Sequence, residues 1–116
     1  IPSIVDHPII RKKSVVNILD GLVGGYHGGP GGKIGKYMWE HKTMYFSTDP
    51  VAMDKVAWKA IDVQRAAVGM KSIAEGKPDP DSTFLNMQVE HIEIAGALGL
   101  GVYQDQKIDL RKFDLA

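Results

Sequence analysis

The sequence contains no cysteine. That excludes internal disulfides, thiolate nucleophiles and thiolate-held iron–sulfur or zinc centres from these residues. An apolar run of membrane-spanning length is also lacking, and the opening Ile1 to Lys13 has neither the charge order nor the apolar centre of a secretory signal. Neither charge sign dominates: 14 basic and 14 acidic residues give a formal net charge of zero with histidines neutral. This removes the global electrostatic reason to expect nucleic acid or an anionic membrane as partner. What is present is a 44% hydrophobic chain of 116 residues, enough for one soluble domain with a modest core and too short for two. Because the chain opens on Ile1 and not on an initiator methionine, processing or truncation is expected, and an upstream export signal or further domain, like the compartment, is left open.

Residues Ser14 to Leu19 are rich in Val and Ile and end at Asp20-Gly21, the pattern of a short strand entering a turn. The run is nearly continuous, so it reads as an internal strand buried on both faces. From Gly24 to Gly35 the sequence GGYHGGPGGKIG holds seven glycines, which argues against a regular helix or a central strand. Thr43 to Ser47 reads as a second strand. Asp49 then caps an incoming helix with Pro50 in its first turn, and that helix runs through Val51 and Trp58 toward Val68, stopping near Gly69. Gly76 to Thr83 supplies a linker. A second helix is expected from near Asp81 or Ser82 to Leu98, with Val89, Ile92, Ala95 and Leu98 toward the core, and Lys107 to Leu110 as a last strand. The predicted class is α/β: a small mixed or parallel sheet covered by two principal helices, as a single domain or part of a larger one.

The glycines around Gly28, Gly29, Gly31 and Gly32 can expose successive backbone amides as an anion-binding nest, with Lys33 adding positive charge. Two nucleotide motifs fail here. Lys33 is followed by Ile34 where a P-loop needs Ser or Thr, with His27 at the place of its first glycine, and Gly29-Pro30-Gly31 lacks the third glycine of a dinucleotide fingerprint. The competing reading is a crowded structural turn packed by Tyr26 and Tyr37. Asp20, Asp49 and Asp54, with His27 or His41, supply oxygen and nitrogen donors suited to a divalent metal if the fold assembles them. Asp49 already has a role as a cap. Glu90-His91 lacks the spacing of a zinc-protease helix, and no serine–histidine–acid order specifies a nucleophile.

Four ordered motifs carry a family resemblance: Asn17-Ile18-Leu19-Asp20-Gly21, Tyr26-His27-Gly28-Gly29-Pro30-Gly31-Gly32, Thr48-Asp49-Pro50-Val51-Ala52-Met53-Asp54 and Ala97-Leu98-Gly99-Leu100-Gly101. Together they resemble the C-terminal portion of the domain of unknown function 362 family and span most of the chain. In that family the Asp-Gly entrance, the Gly-Pro loop and the Asp-Pro-Val-Ala-x-Asp segment form the recognisable framework, matched here by Asp20-Gly21, Gly29-Pro30 and Asp49 to Asp54. The resemblance implies a ligand-bearing α/β domain and no defined reaction. Some family members carry ferredoxin-like cysteine motifs; with no cysteine here, no iron–sulfur cofactor is carried over.

Two hypotheses follow. One is an uncharacterised ligand-binding domain performing metal- or anion-assisted chemistry on a small phosphorylated or carboxylated molecule. The other is a noncatalytic structural or interaction module in which the same residues set loop geometry. Acids converging with His27 on an open coordination position favour the first, and a tightly packed loop beside a large apolar surface favours the second. The expected partners are a small anionic ligand and either an upstream segment or a second copy of the chain.

Overall fold

A computed structural model describes residues 1–28, 34–75 and 89–115. The class is mixed α/β. Two short helices, α1 (Pro2–Val5) and α2 (Pro8–Lys13), lead into strand β1 (Asn17–Gly25); strand β2 (Met38–Ser47), helix α3 (Pro50–Ala67) and helix α4 (Glu90–Ala97) follow. Short 3₁₀ turns lie at Ile34–Tyr37, Ile73–Glu75 and Asp105–Lys107.

The sheet corrects three expectations. It is a two-stranded antiparallel hairpin, not a mixed or parallel sheet, with Asn17 opposite Ser47 and Gly25 opposite Met38. β1 begins at Asn17, so Ser14, Val15 and Val16 precede it, and it runs on through Gly24 and Gly25. It is not buried on both faces: Ile18 is 60% exposed and its cross-strand partner Phe46 is 67% exposed. A continuous apolar run predicts double burial only when a second layer exists. Here α3 lies against both strands from one side, while α4 packs on α3 and α1. Lys107 to Leu110 forms no strand; the chain there follows a 3₁₀ turn.

Glycines are tolerated in β1 because aromatic side chains from β2 take the space a Cβ would need. A Cβ on Gly24 would collide with the Trp39 ring, and one on Gly21 would stand 2.7 Å from the Thr43 carbonyl oxygen and 3.2 Å from the His41 and Tyr45 rings. Between those glycines the register slips at a bulge, where Leu22 faces His41 and Lys42, and Lys42 takes φ +55°. The Leu22 amide donates to Asp20 Oδ1 at 2.9 Å, which supports the backbone beside the bulge.

Helix α3 forms as its end signals predict. The Asp49 side chain accepts from the Ala52 amide at 2.8 Å, Pro50 opens the helix, and Gly69 at φ +77° ends it. There the Met70 amide donates to the Arg65 carbonyl and the Gly69 amide to the Ala66 carbonyl, the two bonds of a Schellman ending. α4 ends the same way at Gly99, φ +71°. Its described span starts at Glu90, and the expected start near Asp81 or Ser82 lies outside the described residues. Of its predicted core positions Ile92 is buried, Val89 and Ala95 are half-buried, and Leu98 is exposed. The hydrophobic core is correspondingly thin, with Tyr37, Val51, Met53 and Ile92 as its buried members among the described residues.

Candidate anion site

The two ends of α3 position the residues of interest. At its start, Asp49 uses both carboxylate oxygens: Oδ1 accepts from Ala52 N, and Oδ2 accepts from the Val102 amide at 2.7 Å. Gly101 passes so close that a Cβ there would overlap Asp49 Oδ1 and stand 2.9 Å from the Val51 Cβ. Asp49 is therefore a cap and a tie to the C-terminal segment at once. Asp54, one turn further, keeps about half of its side chain exposed. Its carboxyl lies above the ordinary value because partial burial disfavours the charge, with His91 acting in the opposite sense from 3.9 Å.

At the other end stands a residue that sequence reasoning passed over. Arg65 is only 4% exposed. Its Nε donates to the Lys71 carbonyl at 2.7 Å, and its Nη1 donates to the Tyr26 carbonyl at 2.8 Å, joining the helix to the exit of β1. The same Nη1 lies 3.4 Å from His27 Nδ1. Arginine only donates, so Nδ1 is the acceptor in this contact. His27 is 6% exposed and meets the Tyr37 ring edge-on, with centroids 4.6 Å apart. No carboxylate pairs with Arg65 among the described residues. A buried cation without a counter-ion carries a desolvation penalty of several kcal/mol, which the carbonyl dipoles offset in part.

Gly28, the one predicted nest residue within the described set, is buried next to His27 with φ +88°, a backbone conformation that suits glycine. Gly29, Gly31, Gly32 and Lys33 lie outside the described residues. The surrounding sequence is one-sided in charge. Gly21 to Trp39 contains Lys33 and Lys36 and no acid, and Val63 to Ala74 contains Arg65 and Lys71 and no acid. Lys36 holds its ammonium 5.0 Å from the Tyr37 ring centre. Asp62, just before the second stretch, turns its carboxylate to the Ser72 hydroxyl and the Ile73 amide and not to Arg65.

The predicted metal ligands are not brought together. His27 contacts the C-terminal end of α3 while Asp49 caps its N-terminal end, about 24 Å away along the axis at about 1.5 Å per residue. Asp20 sits in the middle of β1, beside the bulge. Among the described residues no group of three or more His, Asp or Glu is placed to hold a metal ion. His41 instead hydrogen-bonds the Tyr45 hydroxyl on β2. The chain matches no protein-family model, no curated protein and no solved structure.

Proposed function

We propose that this chain is a ligand-binding α/β domain that takes a small phosphorylated or carboxylated molecule at the loop end of its hairpin. The observation that carries the reading is that His27, followed by the buried Gly28, contacts a buried guanidinium that has no acidic partner among the described residues. Backbone amides of Gly28 to Gly32 and the Lys33 ammonium complete the proposed recognition. Calorimetry with phosphate- and carboxylate-bearing ligands tests it. Lys33→Ala is expected to weaken binding without unfolding the chain, and a folded protein that binds neither class ends the proposal. A divalent metal on Asp20 or Asp54 is a separate expectation, since Asp54 lies eleven residues before Arg65 on α3; metal analysis of the intact protein, repeated on Asp20→Asn and Asp54→Asn, checks it.

A second reading, a noncatalytic interaction module within a larger domain or homo-oligomer, draws on the outer hairpin face, where Ile18, Met44 and Phe46 are exposed beside the charged Asp20, Glu40 and Lys42. An exposed apolar patch rimmed by polar residues fits a contact surface. Sedimentation across a concentration range tests it: association abolished by Phe46→Lys supports this reading, and a monomer at every concentration opposes it.

A further inference from the structure

We infer that Arg65 is the anion-recognising cation of the proposed site, and that it contacts one terminal oxyanion group through Nη2 alone. The inference rests on the ligand-binding reading and names the group within it that reads the charge.

The argument is one of donor accounting. A guanidinium has N–H groups on Nε, Nη1 and Nη2 in a fixed plane. Nε is committed to the Lys71 carbonyl, and Nη1 to the Tyr26 carbonyl and the His27 ring. Nη2 has no hydrogen-bond partner among the described residues, although the side chain as a whole is 4% exposed. The protein thus holds this guanidinium in place with three neutral acceptors and leaves its positive charge unmatched. A purely structural arginine of such burial ordinarily meets a carboxylate, whereas the nearby Asp62 is committed to the Ser72 hydroxyl and the Ile73 amide.

The commitments also limit the ligand. Both bidentate forks are closed, the side-on one because Nε faces the Lys71 carbonyl and the end-on one because Nη1 faces the Tyr26 carbonyl and the His27 ring, which leaves a single-nitrogen contact through Nη2. The nitrogen that remains suits a terminal group with charge concentrated on accessible oxygens, such as a phosphate monoester or an unhindered carboxylate. Tyr26 and His27 are fixed by the same guanidinium that would meet the anion. Binding therefore requires little rearrangement of these residues, a saving in ordering entropy.

The test uses the full chain, titrated separately with inorganic phosphate and acetate while the side-chain resonances of Arg65 are followed by NMR. Arg65→Gln and Arg65→Lys are titrated in parallel by calorimetry. We expect the Arg65 resonances to shift with one or both anions and Arg65→Gln to weaken binding about tenfold or more, with Arg65→Lys in between. The anion that gives the larger shift identifies the terminal group. If the parent chain binds neither anion nor any member of the ligand panel, the ligand-binding reading falls and this inference with it. If the parent binds, but Arg65 resonances stay fixed and folded Arg65→Gln binds equally well, the inference falls alone and recognition belongs to the loop. Should both variants unfold, the resonances of the parent chain decide: movement upholds the assignment, and none overturns it.

Discussion

The two ends of α3 solve opposite electrostatic problems with the same kind of partner. At the start a carboxylate, Asp49, meets backbone amides; near the finish a guanidinium, Arg65, meets backbone carbonyls. Both placements agree with the helix dipole, which favours an anion at the N-terminus and a cation at the C-terminus. They differ in completeness. Each oxygen of Asp49 has an amide partner from a separate part of the chain, whereas Arg65 keeps one nitrogen without a partner among the described residues. A charge that is fully answered holds the fold; a charge answered in part can hold the fold and still bind.

The largest effect is expected from breaking the completed end. Asp49→Ala removes a helix cap, which costs about 0.5–2 kcal/mol, and leaves the Val102 amide unanswered, which costs about 1–3 kcal/mol more. Urea denaturation should show the combined loss, and a variant within about 0.5 kcal/mol of the parent would mean that water replaces both bonds. Gly101→Ala attacks the same contact from the other side. Its Cβ overlaps Asp49 Oδ1, so a loss of about 1–3 kcal/mol is expected, and it should shrink in the Asp49→Ala background, where the carboxylate is gone and the close approach to the Val51 Cβ remains. A double-mutant cycle reads that coupling.

Gly24→Ala moves the comparison to the loop end. It drives a Cβ into the Trp39 ring, with an expected cost of about 1–3 kcal/mol and a change in Trp39 fluorescence. Asp54 gives a smaller, pH-dependent effect. Burial raises its carboxyl above the ordinary value of 3.8, so the folded state holds this proton more tightly than the unfolded one. The resulting stabilisation is complete below the ordinary value and is lost as pH rises through the folded value. Asp54→Asn should flatten that slope and leave a protein at least as stable as the parent near neutrality. An unchanged slope would assign the pH dependence to other carboxylates. The smallest effect belongs to the exposed Lys59–Asp105 pair, 2.9 Å apart, whose hydrogen bond holds Asp105 below the ordinary carboxylate range. Its contribution is present above that range and fades as pH falls through the lowered value; Lys59→Met should shift the thermal midpoint slightly, less so at high salt.

Local signals in the sequence were sufficient for α3. Asp49, Pro50 and Gly69 act through bonds a few residues long, and the helix begins and ends where they place it. The sheet was not legible in the same way. Whether Ile18 is buried depends on whether a layer covers its face, and no periodicity in β1 carries that information. Gly24 and Gly25 argued for a loop because the compensating ring, Trp39, lies across the hairpin. Arg65 was hidden for a related reason. In the helical run Val63-Gln64-Arg65-Ala66 it looks like a solvated cation, and its burial comes from Tyr26 and His27, far back in the chain. The acid-free stretches on either side of the site were the available clue, visible only when charge is counted by segment.

The bond from Val102 to Asp49 has a kinetic side. It joins residues 53 apart in sequence, whereas the hairpin pairs residues 13 (Gly25 and Met38) to 30 (Asn17 and Ser47) apart and the cap of α3 spans three. Contacts of short separation form with less loop-closure entropy, so the strands and helix are expected to be assembled before the C-terminal segment docks. An interaction made after the rate-limiting step influences the escape from the native state more than its formation. Gly101→Ala should consequently steepen little in the refolding arm of a chevron plot and accelerate unfolding by nearly its whole equilibrium effect. The last contact to close is then the one that sets how long the folded chain survives.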